Sequence, residues 1–206
     1  MFVEQPPKIY RMLFPGAVWR LPAEDRRAVY LTFDDGPVPE VTPQVLDILD
    51  RYGVKATFFM VGENVARHPR LFDEVIARGH SAGNHTMHHT RGLRTSLQAY
   101  TDDVARARAL IPSKLFRPPH GIMRPSQMRE LLHIYNIIMY DMVTRDYSAK
   151  LTAGDVVANV MRYVRNGSII VFHDSLRAAP RMLEALPAAI ECLISKGYEF
   201  KALPMD

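Results

Sequence analysis

Two adjacent carboxylates, Asp34 and Asp35, close an apolar run that rises from Ala28 to Phe33 and stops at Gly36-Pro37. Residues 29–33 are rich in β-branched and aromatic side chains, the composition of a buried strand, and Gly-Pro turns the chain back. Paired carboxylates at a strand mouth are costly to bury unless a cation or hydrogen-bond donors receive them. Taken alone they also read as a solvated acidic turn. Further on stands His85-Thr86-Met87-His88-His89. His85 and His89 are four residues apart, so one helical turn puts both imidazoles on one face. With one carboxylate they make a two-His, one-carboxylate metal set that leaves positions open for water and substrate. His85 with His88 is a geometric alternative, while His68, His80 and His133 read as structural or exposed. Arg117-Pro118-Pro119, Asp146 and His173 complete the group, each following its own strand-like run.

The elements that must position these residues alternate along the chain. Strand-like runs at 28–33, 56–61, 80–84, 115–117, 134–140, 168–172 and 198–202 alternate with helical patterns. Thr42 is expected to cap a helix with Pro43 in its first turn and Gly53 at its end. Thr95 and Gln98 fit a capping box, and further helices are expected at 125–133, 153–165 and 177–195. Seven strands alternating with helices call for a parallel sheet covered on both faces, and either an open sheet or a barrel satisfies that count. Asp34, Asp35, His85, Arg117, Asp146 and His173 all fall at or beyond the C-terminal ends of five different strands. A barrel brings those ends into one ring, where barrel enzymes keep their chemistry, so a barrel is the expected architecture.

The 206 residues, 48% hydrophobic and 23% charged, suit one folded domain with a substantial core. The net charge of +4 is spread without a cationic run, which gives no indication of nucleic-acid binding. One cysteine, Cys192, excludes an intrachain disulfide and reads as a core thiol. No segment reaches the ~18 apolar residues of a membrane span, and no glycine-rich phosphate loop appears. Residues 1–27 form a Pro-rich arm expected to pack on the domain at 28–206, closing one end. Glu4 and Pro6-Pro7 stand where a signal peptide needs a basic region and an apolar run. As given, the chain reads as cytoplasmic, and as periplasmic or cell-envelope if a signal has been removed.

Taken together, Thr32-Phe33-Asp34-Asp35-Gly36-Pro37 and His85-Thr86-x-x-His89 resemble motifs of the polysaccharide deacetylase family, the NodB-homology domain of carbohydrate esterase family 4. The likeness continues through Ala56-Thr57-Phe58-Phe59, Gly83-Asn84-His85, Phe116-Arg117-Pro118-Pro119, Thr144-Arg145-Asp146 and Phe172-His173-Asp174. It covers roughly 28–202 with all five family motifs in order. The resemblance implies an α/β fold, a distorted (β/α)7 barrel, and a carbohydrate substrate from which N-acetyl groups are removed. It implies that Asp35, His85 and His89 hold a divalent metal, usually zinc, though cobalt, nickel, manganese or iron suit the same ligands. Asp34 would be the general base and His173 the acid that protonates the departing amine. Arg117 would hold Asp34 ionised and oriented, Asp146 would orient His173 and favour its imidazolium, and a backbone N–H near Pro119–His120 would meet the oxyanion.

Three motifs depart from that pattern, at four positions. His120 replaces the aromatic Tyr after Pro-Pro, Val143 and Tyr147 replace the Asp and Trp of Asp-x-x-Asp-Trp, and Val171 replaces a Leu. Pro119, His120, Tyr147 and Val171 are therefore the expected substrate wall, with Tyr147 and Val171 around the methyl group. The catalytic set is complete, and the changes bear on substrate choice. Two other readings compete: hydrolysis of another C–N amide, such as a formamide on a lipid-linked sugar or a small amide, and a catalytically silent glycan-binding module. The sequence leaves the oligomeric state open.

Overall fold

The computed structural model describes residues 4–21 and 27–205, so parts of the arm, at 1–3 and 22–26, lie outside the described residues. The central strand β1 (Ala28–Asp34) pairs in parallel with β2 (Thr57–Met60) on one side and β7 (Ser168–His173) on the other. Outward from β2 follow β3 (Ser81–Asn84), β4 (Leu115–Phe116) and β5 (Asn136–Ile137). Beyond β7 lies β6 (Met142–Val143). A short β8 (Glu199–Phe200) pairs with the first residues of β1. Every pairing is parallel, and the connecting helices are α2 (Thr42–Arg51), α3 (Gly62–Arg67), α4 (Pro69–Ala77), α5 (Leu97–Arg108), α6 (Pro125–Leu131), α7 (Ala153–Tyr163) and α8 (Ala179–Ser195).

Side chains alternate across each strand, and here both faces are apolar. Val29, Leu31 and Phe33 of β1, with Phe58, Ile170 and Phe172, pack outward against α2 and α8. Tyr30, Phe59, Leu115, Ile138, Tyr140, Ile169 and Val171 fill the inside of the curled sheet. Fully burying one such side chain contributes about 1.5–3 kcal/mol, so the two layers fix the register strongly. Gly83 is required by this inner packing, because a Cβ there would lie 2.5 Å from the Phe59 ring. The same alternation aims the strand ends. Four residues past Tyr30 and two past Thr32 comes Asp34, two past Gly83 comes His85, two past Leu115 comes Arg117, and two past Val171 comes His173.

The sheet curls into an α/β barrel left open between β5 and β6, and residues of the arm stand in that gap. Val18 bridges Ile138, with Val18 N–H donating to Ile137 O and Met139 N–H to Val18 O, both at 2.8 Å. Arg20 bridges Ser168 on the opposite side. Higher up, Val143 N–H donates to Glu4 O at 2.7 Å, and Arg11 pairs with the buried Asp141 at 2.9 Å. Tyr10, Phe14 and Trp19 pack on Met128, Leu131 and Tyr135, whereas Ile9 and Met12 of helix α1 (Lys8–Met12), and Leu13 just after it, face solvent.

Several local expectations are corrected. The described residues hold eight strands, because the apolar run at 134–140 does not remain one strand. After β5 the chain leaves β4, passes the arm at Met139, and Asp141 N–H donates to Ile169 O, so Met142–Val143 joins β7 as a separate strand. Thr42 is the first residue of α2 and its cap position is Val41; its hydroxyl donates to Asp174 instead. Ser96, not Thr95, caps α5 by accepting from Ala99 N–H. Cys192 is only half-buried, since Leu186, Ala189, Ile190 and Leu193 take the inward face of α8.

Candidate active site

The site begins with two neighbouring carboxylates facing different partners. Asp34, the last residue of β1, keeps the strand's alternation and points inward. Asp35 leaves the strand with φ 83°, which swings its carboxylate toward the loop after β3. Non-glycine residues seldom adopt positive φ. Among the described residues those that do are Asp35, Thr86, His89, His120 and Arg145, each just beyond a site strand. Backbone strain concentrated in this way marks a functional end of the fold.

Asp35 Oδ1 lies 3.2 Å from His89 Nε2 and 3.8 Å from His85 Nε2. One ligand atom from each of the three residues falls within 4.8 Å of the others. His85 is buried, and its Nδ1 donates to Arg117 O at 2.8 Å, leaving Nε2 as a lone-pair donor toward Asp35. An imidazole held this way by a backbone carbonyl is the usual arrangement of a metal-ligating histidine. Burial, with the His89 charge, pushes His85 down to about 4 against the opposing pull of Asp34 and Asp35, so it stays neutral. Burial pushes Asp35 up, but hydrogen bonding to His89 and the charge of His173 outweigh it and hold it well below the carboxylate range. A neutral imidazole and a low-pKa carboxylate converging on one point fit a divalent cation.

The histidine pair is not presented by a helical turn. Residues after His85 form a loop in which Thr86 and His89 are left-handed, at φ 67° and 53°. Asp103 of α5 ties that loop down, accepting from Met87 N–H, His88 N–H and the Thr90 hydroxyl. His88 Nδ1 also meets Asp103, at 2.5 Å, which turns His88 away and excludes the pair His85 with His88. Asn84 accepts from Thr86 N–H and donates to Val104 O, and Asn64 donates to Asp35 O. Asn84 falls within the Gly83-Asn84-His85 motif, whereas Asn64 and Asp103 carry none; only a buried polar residue on the inner face of a helix signals Asp103. His80 is buried away from the site, accepting from Ala56 N–H, and His133 is exposed.

Arg117 is 1% exposed, and its guanidinium covers the Phe59 ring at 4.0 Å. It donates to Asp34 Oδ1 at 2.6 Å, to the Thr32 hydroxyl at 2.7 Å, and to Ile138 O and Met139 O. Each nitrogen therefore has a partner, which is what a buried guanidinium requires. On the other flank, His173 at the end of β7 is in register with Asp34. Its Nδ1 lies 2.8 Å from Asp146 Oδ1, and its N–H donates to Asp146 Oδ2 at 2.7 Å. Burial alone would push His173 down; the charge and hydrogen bond of Asp146, with Asp35 and Asp34, overcome it and raise it to about 9. Asp174, the next residue, is fully buried under Gly36, accepting from its N–H and from Thr42. A Cβ on Gly36 would lie 2.0 Å from the Asp174 carboxylate, so this turn has no room for a side chain.

The remaining wall residues divide between rim and interior. Pro119 is buried at the start of a turn whose next residue, His120, has φ 61°. The His120 ring is exposed and meets His89 edge-on, 4.7 Å between centroids. Tyr147 meets His173 edge-on at 5.0 Å. Val171 lies below His173, 2% exposed, in the inner apolar layer that Tyr147 also touches.

The sequence profile described as "Polysaccharide deacetylase" matches residues 22–136. A peptidoglycan-N-acetylglucosamine deacetylase of Bacillus cereus is 32% identical over 190 residues, covering 88% of each chain. A chitooligosaccharide deacetylase of Bradyrhizobium sp. is 32% identical over 197 residues, covering 86% of this chain and 90% of its own. The solved Bc1960 peptidoglycan N-acetylglucosamine deacetylase superposes with a TM-score of 0.87 at 28% identity, covering 97% of this chain and 95% of its own.

Proposed function

The chain belongs to the polysaccharide deacetylase family, and from that premise we propose that it removes N-acetyl groups from amino-sugar units of a glycan. It is an amidohydrolase acting on carbon–nitrogen bonds other than peptide bonds. The observation that carries the reading is the division of one Asp-Asp pair, Asp34 to a buried arginine and Asp35 to two imidazoles, with a carboxylate-held histidine opposite.

Asp35, His85 and His89 would hold the cation, and two imidazoles with one carboxylate suit zinc with open positions. When bound, the cation supplies Lewis acidity and makes hydroxide available near neutral pH. Asp34 acts as general base and takes the proton of the attacking water, its other oxygen fixed by Arg117. As the water oxygen bonds to the acetyl carbon, a backbone N–H near Pro119–His120 would meet the developing oxyanion. His173, protonated and turned by Asp146, gives its proton to the nitrogen as the C–N bond breaks, so acetate and a free amine leave. Tyr147 and Val171 wall the methyl group, and Pro119 with His120 forms the opposite side.

Acetate release from penta-N-acetylchitopentaose, with zinc or cobalt supplied and a chelator control, tests the reading. Metal-dependent release is expected. A metal-loaded chain that is inert on this oligomer and on N-acetylated peptidoglycan fragments alike would overturn it.

A further inference from the structure

Two arginines stand at the mouth of the site, one on each flank, and both are held by Nε. Arg91 donates from Nε to His120 Nε2 at 3.2 Å, and His120 in turn packs on His89. Arg177 donates from Nε to Tyr147 O at 3.1 Å and lies 5.9 Å over the Tyr147 ring, which packs on His173. Each guanidinium is thus one residue removed from the reacting groups, one on the metal-ligand side and one on the acid side. Both side chains are exposed. Among the described residues neither has a carboxylate within ion-pair distance, in contrast to Arg67, Arg78 and Arg165. Fixing Nε leaves the terminal nitrogens pre-oriented outward. That is the fork with which arginine receives carboxylate or phosphate oxygens, and an oriented fork loses less entropy on binding.

We infer that Arg91 and Arg177 are specificity-determining residues that receive anionic groups, carboxylate or phosphate, on the sugar units flanking the one deacetylated. The inference rests on the reading of this site as that of a glycan deacetylase. It gives His120 a part that a tyrosine could not play in the same way, since its Nε2 accepts the Arg91 Nε–H while the ring stays against His89. A neutral glycan would leave both charges in water, and an acidic one would meet them as it enters.

The test compares three oligomers of equal length on the metal-loaded full chain: uncharged N-acetylglucosamine units, the same units alternating with N-acetylmuramic acid bearing free lactyl carboxylates, and N-acetylglucosamine units ending in a 1-phosphate. At low salt kcat/KM for one anionic oligomer should exceed the neutral one by about tenfold, chiefly through KM, and the preference should fade at ~0.5 M salt. Which anionic oligomer gains identifies the source of the charge. Arg91→Gln and Arg177→Gln should each shrink the ratio severalfold, and Arg91→Lys should restore part of it. Equal kcat/KM for all three, or a preference that survives both substitutions, would overturn the inference. Binding of the same oligomers to the Asp34→Asn chain, or to chelator-treated wild-type chain if that variant fails to fold, separates the two readings. Absence of acetate from every oligomer counts against the deacetylase, while the ratio of binding constants still decides the arginines.

Discussion

Arg117 Nη1 donates to Asp34 Oδ1 over 2.6 Å, with the two side chains 1% and 9% exposed. A charge pair so deeply desolvated is sound only while both partners are present, because removing one leaves the other buried and uncompensated. Arg117→Met should therefore destabilise the fold by about 3–5 kcal/mol, measured by urea unfolding. Arg117→Lys should be milder for stability but should still abolish most activity, since an ammonium cannot reach Asp34, Ile138 O and Met139 O together. Wild-type stability in Arg117→Met would show that the pair is not closed as described.

Asp103 touches no expected ligand directly, yet it collects three donors from the loop that carries His89. Supports of this kind typically change metal affinity by about 10–100-fold. Asp103→Ala should weaken zinc binding by that order in competition with a chromophoric chelator. The loss should appear without any change to Asp35, His85 or His89. Unchanged affinity would mean that the left-handed loop holds its shape unaided.

Asp141, 0% exposed, accepts from Arg165, Ser168 and Arg11. Burial raises its pKa, but those hydrogen bonds outweigh the burial and hold it below the ordinary carboxylate value. The folded value thus lies below the unfolded value of ~3.9. Its stabilisation is present above that value and is lost as pH falls through it toward the folded pKa. Asp141→Asn should be less stable at neutral pH and show a flatter loss of stability between roughly pH 5 and 2. Parallel curves for variant and wild type would remove Asp141 from the acid response. Because Arg11 belongs to the arm, the same experiment reports on how the gap between β5 and β6 is held.

Strand periodicity makes much of this legible in the sequence. Asp34, His85, Arg117 and His173 each end or follow a strand in phase with inward residues, so alternation alone sends them to one end. Spacing places His85 and His89 together on a helical turn, whereas the structure brings them together on a loop. Left-handed Thr86 and His89 leave no compositional mark, as a glycine would, so spacing suggested a helical turn. The strand β6 was hidden because Ile134 to Tyr140 reads as one apolar run, and nothing local shows that the chain crosses from β4 to β7 there. Asp103 has no motif spacing, and Asp174, although it closes the Phe172-His173-Asp174 motif, has no part that spacing alone assigns; the importance of both appears only when the donors they receive are in view.

The central claim is that two neighbouring carboxylates hold separate offices, Asp34 moving a proton and Asp35 binding the cation. Metal content and acetate release measured together on Asp34→Asn and Asp35→Asn test it most directly. The account predicts that Asp34→Asn keeps one bound cation per chain while acetate release falls by at least about a hundredfold, and that Asp35→Asn loses the cation itself. Loss of metal from both variants alike, or activity persisting in metal-loaded Asp34→Asn, would contradict it.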